Sequence, residues 1–351
     1  MLLSLSLIAL GIVLRQADRI HFARGRPASA SATKLIALQR SRATNWTPAL
    51  LLASQWLQIA GWWRLAGHGP LAAAAAALGV AVQLRHLQEI SHFAVHGVLA
   101  RSRRANQLLA EVFVHHPLGL IPVPERRRLH VRDHHPNAAR PSADPNLTEL
   151  HQAGLRPGTS TSRSRFARAV VYPLTWRGIH ATVTGIAANL RHPGSWHRAA
   201  AVTAVLGAAY LTGGWPALVC GALIPRILLY PQLAWLSLLV EHTWFDPEPR
   251  TGSPAWVEAG RCLRLYPHNR ALARLAAATW LPYGDLHHYA HSAHPAVRWN
   301  YLPALERGLH QPHFTPDSFL TGPRSVIAHH RRALALRTTA KPGTGKPVPS
   351  V

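Results

Sequence analysis

Acidic residues and cysteine are both scarce in this chain. Only 14 of its 351 residues are Asp or Glu, against 38 Lys and Arg, so the formal net charge is +24. Its two cysteines, Cys220 and Cys262, fall in different surroundings, which excludes a disulfide scaffold and is compatible with a reducing cytosolic face. Charge of either sign is missing from residues 43–63, 65–84 and 199–225. No GxGxxG or P-loop sequence occurs, which removes two nucleotide-binding fingerprints.

A surplus of basic residues first suggests nucleic acid. Their placement argues against it, and no nucleic-acid partner is expected. The arginines sit mainly beside the uncharged runs, as positive-inside topology requires, and arginine snorkels to anionic lipid headgroups. Mean hydropathy near zero hides this division into apolar and Arg-rich blocks. Runs of about 20 apolar residues cross a bilayer. The expected fold is therefore all-α and polytopic, with two transmembrane helical hairpins and a cytoplasmic helical cap. Trp46, Trp56, Trp62 and Trp63 favour a membrane over a soluble protein with buried Ala-rich helices, because Trp collects at bilayer interfaces.

Residues 1–14 are apolar but short, which suits an interfacial or marginal membrane helix rather than a signal peptide. The basic stretch 15–42 is expected in the cytoplasm. The first hairpin runs from residue 46, turns at Gly67-His68-Gly69-Pro70, and returns from Leu71 along a helical pattern that continues to Leu99. Residues 107–123 suit a re-entrant or surface segment. The second hairpin spans 199–240 and turns at Gly213-Gly214-Trp215-Pro216. Within it Arg226 is the one charge, either functional or snorkelling from a shifted span. Residues 338–351 read as a disordered Pro/Gly-rich tail. The chain divides into an N-terminal part (1–44), a membrane and metal-binding domain (45–310) and a C-terminal extension (311–351).

Three histidine clusters stand at the ends of the apolar blocks: His92 and His96; His130, His134 and His135; His288, His291 and His294. His242 follows the last span directly. Imidazole suits iron, copper and zinc. On a helix, His92 and His96 share a face, as do His130 and His134, and His135 turns about 100° further towards a second metal. These segments have enough imidazoles for two metals about 3.5–4 Å apart. Glu89, Asp133 and Glu241 neighbour the ligands and either orient imidazoles or bridge to arginine. His86, His115 and His116 read as surrounding or surface groups.

The order His-x-x-x-His, His-x-x-x-His-His, Glu-His, His-x-x-His resembles the membrane fatty acid desaturase family. Asp144-Pro145-Asn146-Leu147 is similar to the family's short segment after the second box. The run from His294 to Pro303, with Val297, Trp299 and Leu302, is similar to its ending. The resemblance covers residues 45–310. It implies two iron ions in a non-haem di-iron centre, ligated by His92, His96, His130, His134, His135, His242, His288, His291 and His294. It also implies removal of hydrogens from an acyl chain with dioxygen and two electrons. The chain would be carried on a lipid, coenzyme A or acyl carrier protein, and a separate donor such as ferredoxin would supply electrons. The protein would be a multi-pass cell-membrane protein, with its metal site facing the cytoplasm.

Two positions depart from the family pattern. Ser292 stands where the third box has a second histidine, so His287, His294 or a water is expected to fill the gap. Phe93 stands where the first box commonly has an acidic or small polar residue. These departures keep a related hydroxylase or decarboxylase as the alternative. A histidine-rich transporter or sensor fits less well, since transport sites lie near mid-membrane.

Overall fold

The computed structural model describes residues 1–157, 162–192 and 194–339. The expected tail lies outside the described residues from residue 340 onward. Among the described residues no β-strand forms; two isolated bridges link His242 with Cys262 and Leu263 with Phe314.

Helix α1 (Leu2–Ala23) is longer than its apolar run. The charges that suggested its end are partnered inside the protein. Arg15 Nη1 lies 3.2 Å from His86 Nδ1, and Asp18 is buried against Arg298. Helix α2 (Ala32–Arg42) is capped by Ser31. Helices α3 (Trp46–Ala66) and α4 (Pro70–Val95) form a hairpin. Pro70 opens α4 where its missing N–H costs nothing, and the alanines that follow favour helix. Gly69 makes the turn with φ 120, a backbone conformation that strains residues bearing a side chain.

α1 packs antiparallel on α3 with backbones nearly touching. A Cβ on Gly61 would come 2.7 Å from Ile8 Cγ1, and one on Gly11 would come 2.6 Å from Ser54 O. Small residues allow such close approach. α2 then holds the segment after the third histidine box, because Gln39 donates to Ala296 O (2.9 Å) and accepts from Arg298 N (2.7 Å).

α5 (Trp196–Leu218) carries non-helical backbone at Gly213 and Gly214. The chain reverses there: Val202 and Leu206 line the same cavity as Gly221 and Ala222. Two π-helical turns, Val219–Leu223 and Pro225–Leu229, lead into α6 (Tyr230–Glu241). Arg226 does not snorkel outward. It is half-buried, donates from Nε to Leu118 O at 2.7 Å and lies 5.4 Å from the Tyr230 ring centroid.

By length and apolarity, Pro70–Val95 and Trp196–Glu241 could cross a membrane, the second including the reversal. Of the four tryptophans read as interfacial, only Trp46 is exposed. Trp56 and Trp63 instead donate inward to Phe113 O and Gly221 O. A second core contains Leu150, Trp235, Leu239 and Phe245. The helix Val326–Thr339 packs into it through Val326 and Leu334, with His330 Nε2 2.8 Å from Leu239 O.

Candidate metal centre

α4 delivers the first two histidines. His92 is in its last turn and His96 is its C-cap, so the i, i+4 spacing aims both the same way, Nε2 to Nε2 at 3.2 Å. His130 lies 2.7 Å from His92 through its own Nε2, and His135 Nε2 lies 3.3 Å from His96 Nε2. His291 completes this group, in which each ring offers one nitrogen and these five lie within 4.8 Å of one another. A second group gathers His134, His242, His288 and the Glu241 carboxylate within the same limit, with His242 and His288 meeting at 3.2 Å between Nε2 atoms. The groups are neighbours: the His134 ring centroid lies 5.3 Å from His130 and 5.6 Å from His135.

This partition corrects the helical expectation for the second box. His130 pairs with His135, and His134 faces the other group. The cause is local. Residues 128–134 form a π-helix, and His135 N donates to His130 O. Hydrogen bonds to the fifth residue bring position i+5, rather than i+4, into register with position i. The third box divides as well, with His291 in one group and His288 in the other.

Each group is held from behind. The Nδ1–H of His92 donates to Glu89 (2.7 Å), and that of His134 donates to Asp144 (2.9 Å). His242 Nδ1 lies 3.4 Å from Cys262 Sγ, which lies 3.4 Å from Glu258 Oε2. Burial, then Glu258, pushes the Cys262 thiol pKa up, so its proton is available to that carboxylate. Asp133 takes the other role weighed for it, bridging to Arg128 at 3.5 Å.

Asp144 and Cys262 were not singled out as holding groups by sequence reasoning. For Asp144 a signal existed: Asp-Pro opening a helix marks a capping carboxylate, and Asp144 does accept from Asn146 N. Cys262 lies 20 residues from His242, and no spacing rule joins them.

His294 belongs to neither group. It is half-buried one residue beyond the helix His288–Ala293. His287 is bound to Glu306 at 2.8 Å. Ser292 turns away from the rings and donates to Glu258 Oε2 at 2.9 Å. His86 approaches Arg15 and Ala278 O, His115 approaches Ile121 O, and His116 pairs with Glu111.

The buried rings fit metal ions. His134 Nε2 and both ring nitrogens of His291 are buried without a hydrogen-bond partner, and an orphaned buried polar atom is costly. Elsewhere Nε2 atoms face one another, where two neutral rings share at most one proton. A cation satisfies all these lone pairs together. Burial, reinforced by neighbouring imidazoles, holds the pKa values of His96, His130, His135, His242, His288 and His291 well below the usual histidine range. They are therefore neutral at pH 7, as metal binding requires.

The described residues form an all-helical protein with two segments that could cross a membrane and two adjacent histidine groups that could hold metal ions. A family model for fatty acid desaturases matches residues 68–318, well over half of the chain. The protein belongs to the fatty acid desaturase family. No curated protein matches the chain.

Proposed function

We propose that the protein is a membrane-bound di-iron desaturase that places a double bond in an acyl chain. The supporting observation is the convergence of two adjacent imidazole groups within one family-matched domain. Bound iron would supply the activation of dioxygen. In balance, the chain loses two hydrogen atoms, which carry two protons and two electrons; a donor adds two electrons, solvent adds two protons, and dioxygen leaves as two waters.

The first iron would be held by His92, His96, His130, His135 and His291, and the second by His134, His242 and His288. His294 is left out of this set by its position. Glu89, Asp144 and Cys262 keep the ligating nitrogens turned inward. The acyl chain arrives on a lipid, coenzyme A or acyl carrier protein, and a separate one-electron donor such as ferredoxin supplies the reducing equivalents. The protein lies in the cell membrane with the metal centre at the cytoplasmic ends of its spans, where the Arg-rich segments lie. Residues 45–310 form the catalytic domain.

A cavity of about 210 Å³ takes the distal part of the acyl chain. It is lined by Trp56, Ile59, Trp63, Leu84 and Ala222, with Arg226 its one charged wall residue. Leu84 precedes His92 by eight residues, or roughly 12 Å along α4. Ala222→Phe fills this space. Turnover of the longest accepted chain should then fall about 10–200-fold, while chains several methylenes shorter keep their rate. A chain-length series checks this, and a uniform change across it would remove the cavity from the substrate path.

The deciding experiment supplies purified protein, iron, donor and acyl substrates, and weighs the product. Loss of two hydrogens supports desaturation. A gain of oxygen or loss of carbon dioxide supports the hydroxylase or decarboxylase reading, which the departure at Ser292 favours. Full activity in an iron-free, zinc-loaded sample would overturn both.

A further inference from the structure

The two histidine groups are unequal, five imidazoles against three. The deficit falls where the third box lacks its last histidine. Neither candidate for filling it does so, because His287 is engaged by Glu306 and His294 lies outside. Ser292 is also committed, to Glu258.

Glu258 itself is not free to ligate. Arg261 binds both of its oxygens, Nε to Oε2 at 2.9 Å and Nη2 to Oε1, and Ser292 and Cys262 add to Oε2. It also lies behind His242, on the Nδ1 side, while His242 Nε2 faces His288.

Glu241 is placed differently. It ends α6, and its carboxylate lies within 4.8 Å of the ligating nitrogens of His134, His242 and His288. Among the described residues its side chain makes no hydrogen bond and no ion pair. Arg85 and Arg126 are the cations that act on it; neither forms an ion pair with it, and Arg85 is committed to Glu89, Asp285 and Ser237. A carboxylate with no ion-pair partner among the described residues, gathered with three imidazoles, is the arrangement that a divalent cation completes.

We infer that Glu241 takes the place of the absent third-box imidazole, making the second metal position a three-histidine, one-carboxylate site. The inference rests on the di-iron reading. It makes the centre asymmetric, with a neutral five-imidazole position beside one that carries a hard anionic oxygen ligand.

The test uses the full chain, loaded anaerobically with Fe(II), and reads iron per chain and Mössbauer spectra rather than turnover. Wild type should hold two irons with two inequivalent signals. Glu241→Gln should fall to about one iron, keeping the signal of the five-histidine position. Glu241→His should recover two irons with one signal shifted, which separates ligand loss from misfolding. Ser292→Ala should keep two irons and both signals. Two irons with both signals unchanged in Glu241→Gln would overturn the inference while leaving the di-iron reading intact. Failure of wild type to bind two irons would overturn the di-iron reading itself, and the inference with it.

Discussion

His134→Ala and His291→Ala should each reduce acyl-chain turnover at least 100-fold, through different metal positions. Substitution of groups that merely orient a ligand typically costs about 10–100-fold, so loss of a ligand sets that as a floor. His291→Ala leaves four imidazoles around the first position, whereas His134→Ala leaves two and a carboxylate around the second. Iron loss should therefore be larger in His134→Ala. Both variants should still reach the membrane fraction, because these rings make no hydrogen bond that packing depends on, apart from His134 to Asp144. Turnover, iron per chain and fractionation check the set. Near-normal product from either variant would remove that residue from the centre.

The largest stability effect should come from a residue far from the histidines in sequence. Asp18→Ala should destabilise the solubilised protein by about 3–5 kcal/mol, the usual cost of stripping one partner from a buried ion pair. Arg298 is 1% exposed, bound to Asp18 at 2.6 and 3.0 Å, with its guanidinium 3.9 Å from the Phe22 ring centroid and 3.5 Å from that of Trp299. Burial pulls the Arg298 pKa down even with Asp18 present, so the cation alone would be poorly tolerated. Arg298→Leu combined with Asp18→Ala should recover most of the loss, because replacing both charges by apolar groups is often near neutral. Denaturant melts of the single and double variants decide. Equal melts for Asp18→Ala and wild type would show that the pair contributes nothing.

The histidine boxes were legible because chemistry and spacing agree: eight of the nine imidazoles proposed from sequence fall into the two groups. Which metal position each serves was not legible. That depends on one hydrogen-bond register at residues 128–135, and π-helical pairing leaves no mark on composition. The hairpin turns could be read from Gly67–Pro70 and Gly213–Pro216, since only a tight reversal uses such residues. The true length of α1 could not. Arg15 and Asp18 look like the end of an apolar segment until His86 and Arg298, 71 and 280 residues away, are seen to meet them. Glu241 was noticed as a neighbour of His242, but that its side chain has no ion-pair partner among the described residues is a three-dimensional fact.

The reversal at Gly213–Gly214 also sets a ruler. Trp196 opens α5 and Trp215 stands just past the turn, paired with Tyr210 at 5.4 Å; the two tryptophans are 68% and 66% exposed. Between Trp196 and Gly213 the helix rises roughly 26 Å. For a helix placed in a bilayer, such rings settle at the two headgroup levels, so the pair spans a hydrocarbon slab nearer ~27 Å than ~33 Å. Longer-tailed lipids would have to thin locally or force a tilt on the arm that continues into Glu241 and His242. On the membrane reading proposed above, tail length of the surrounding lipid becomes a variable of this protein's own stability, to be chosen for reconstitution as deliberately as pH or salt.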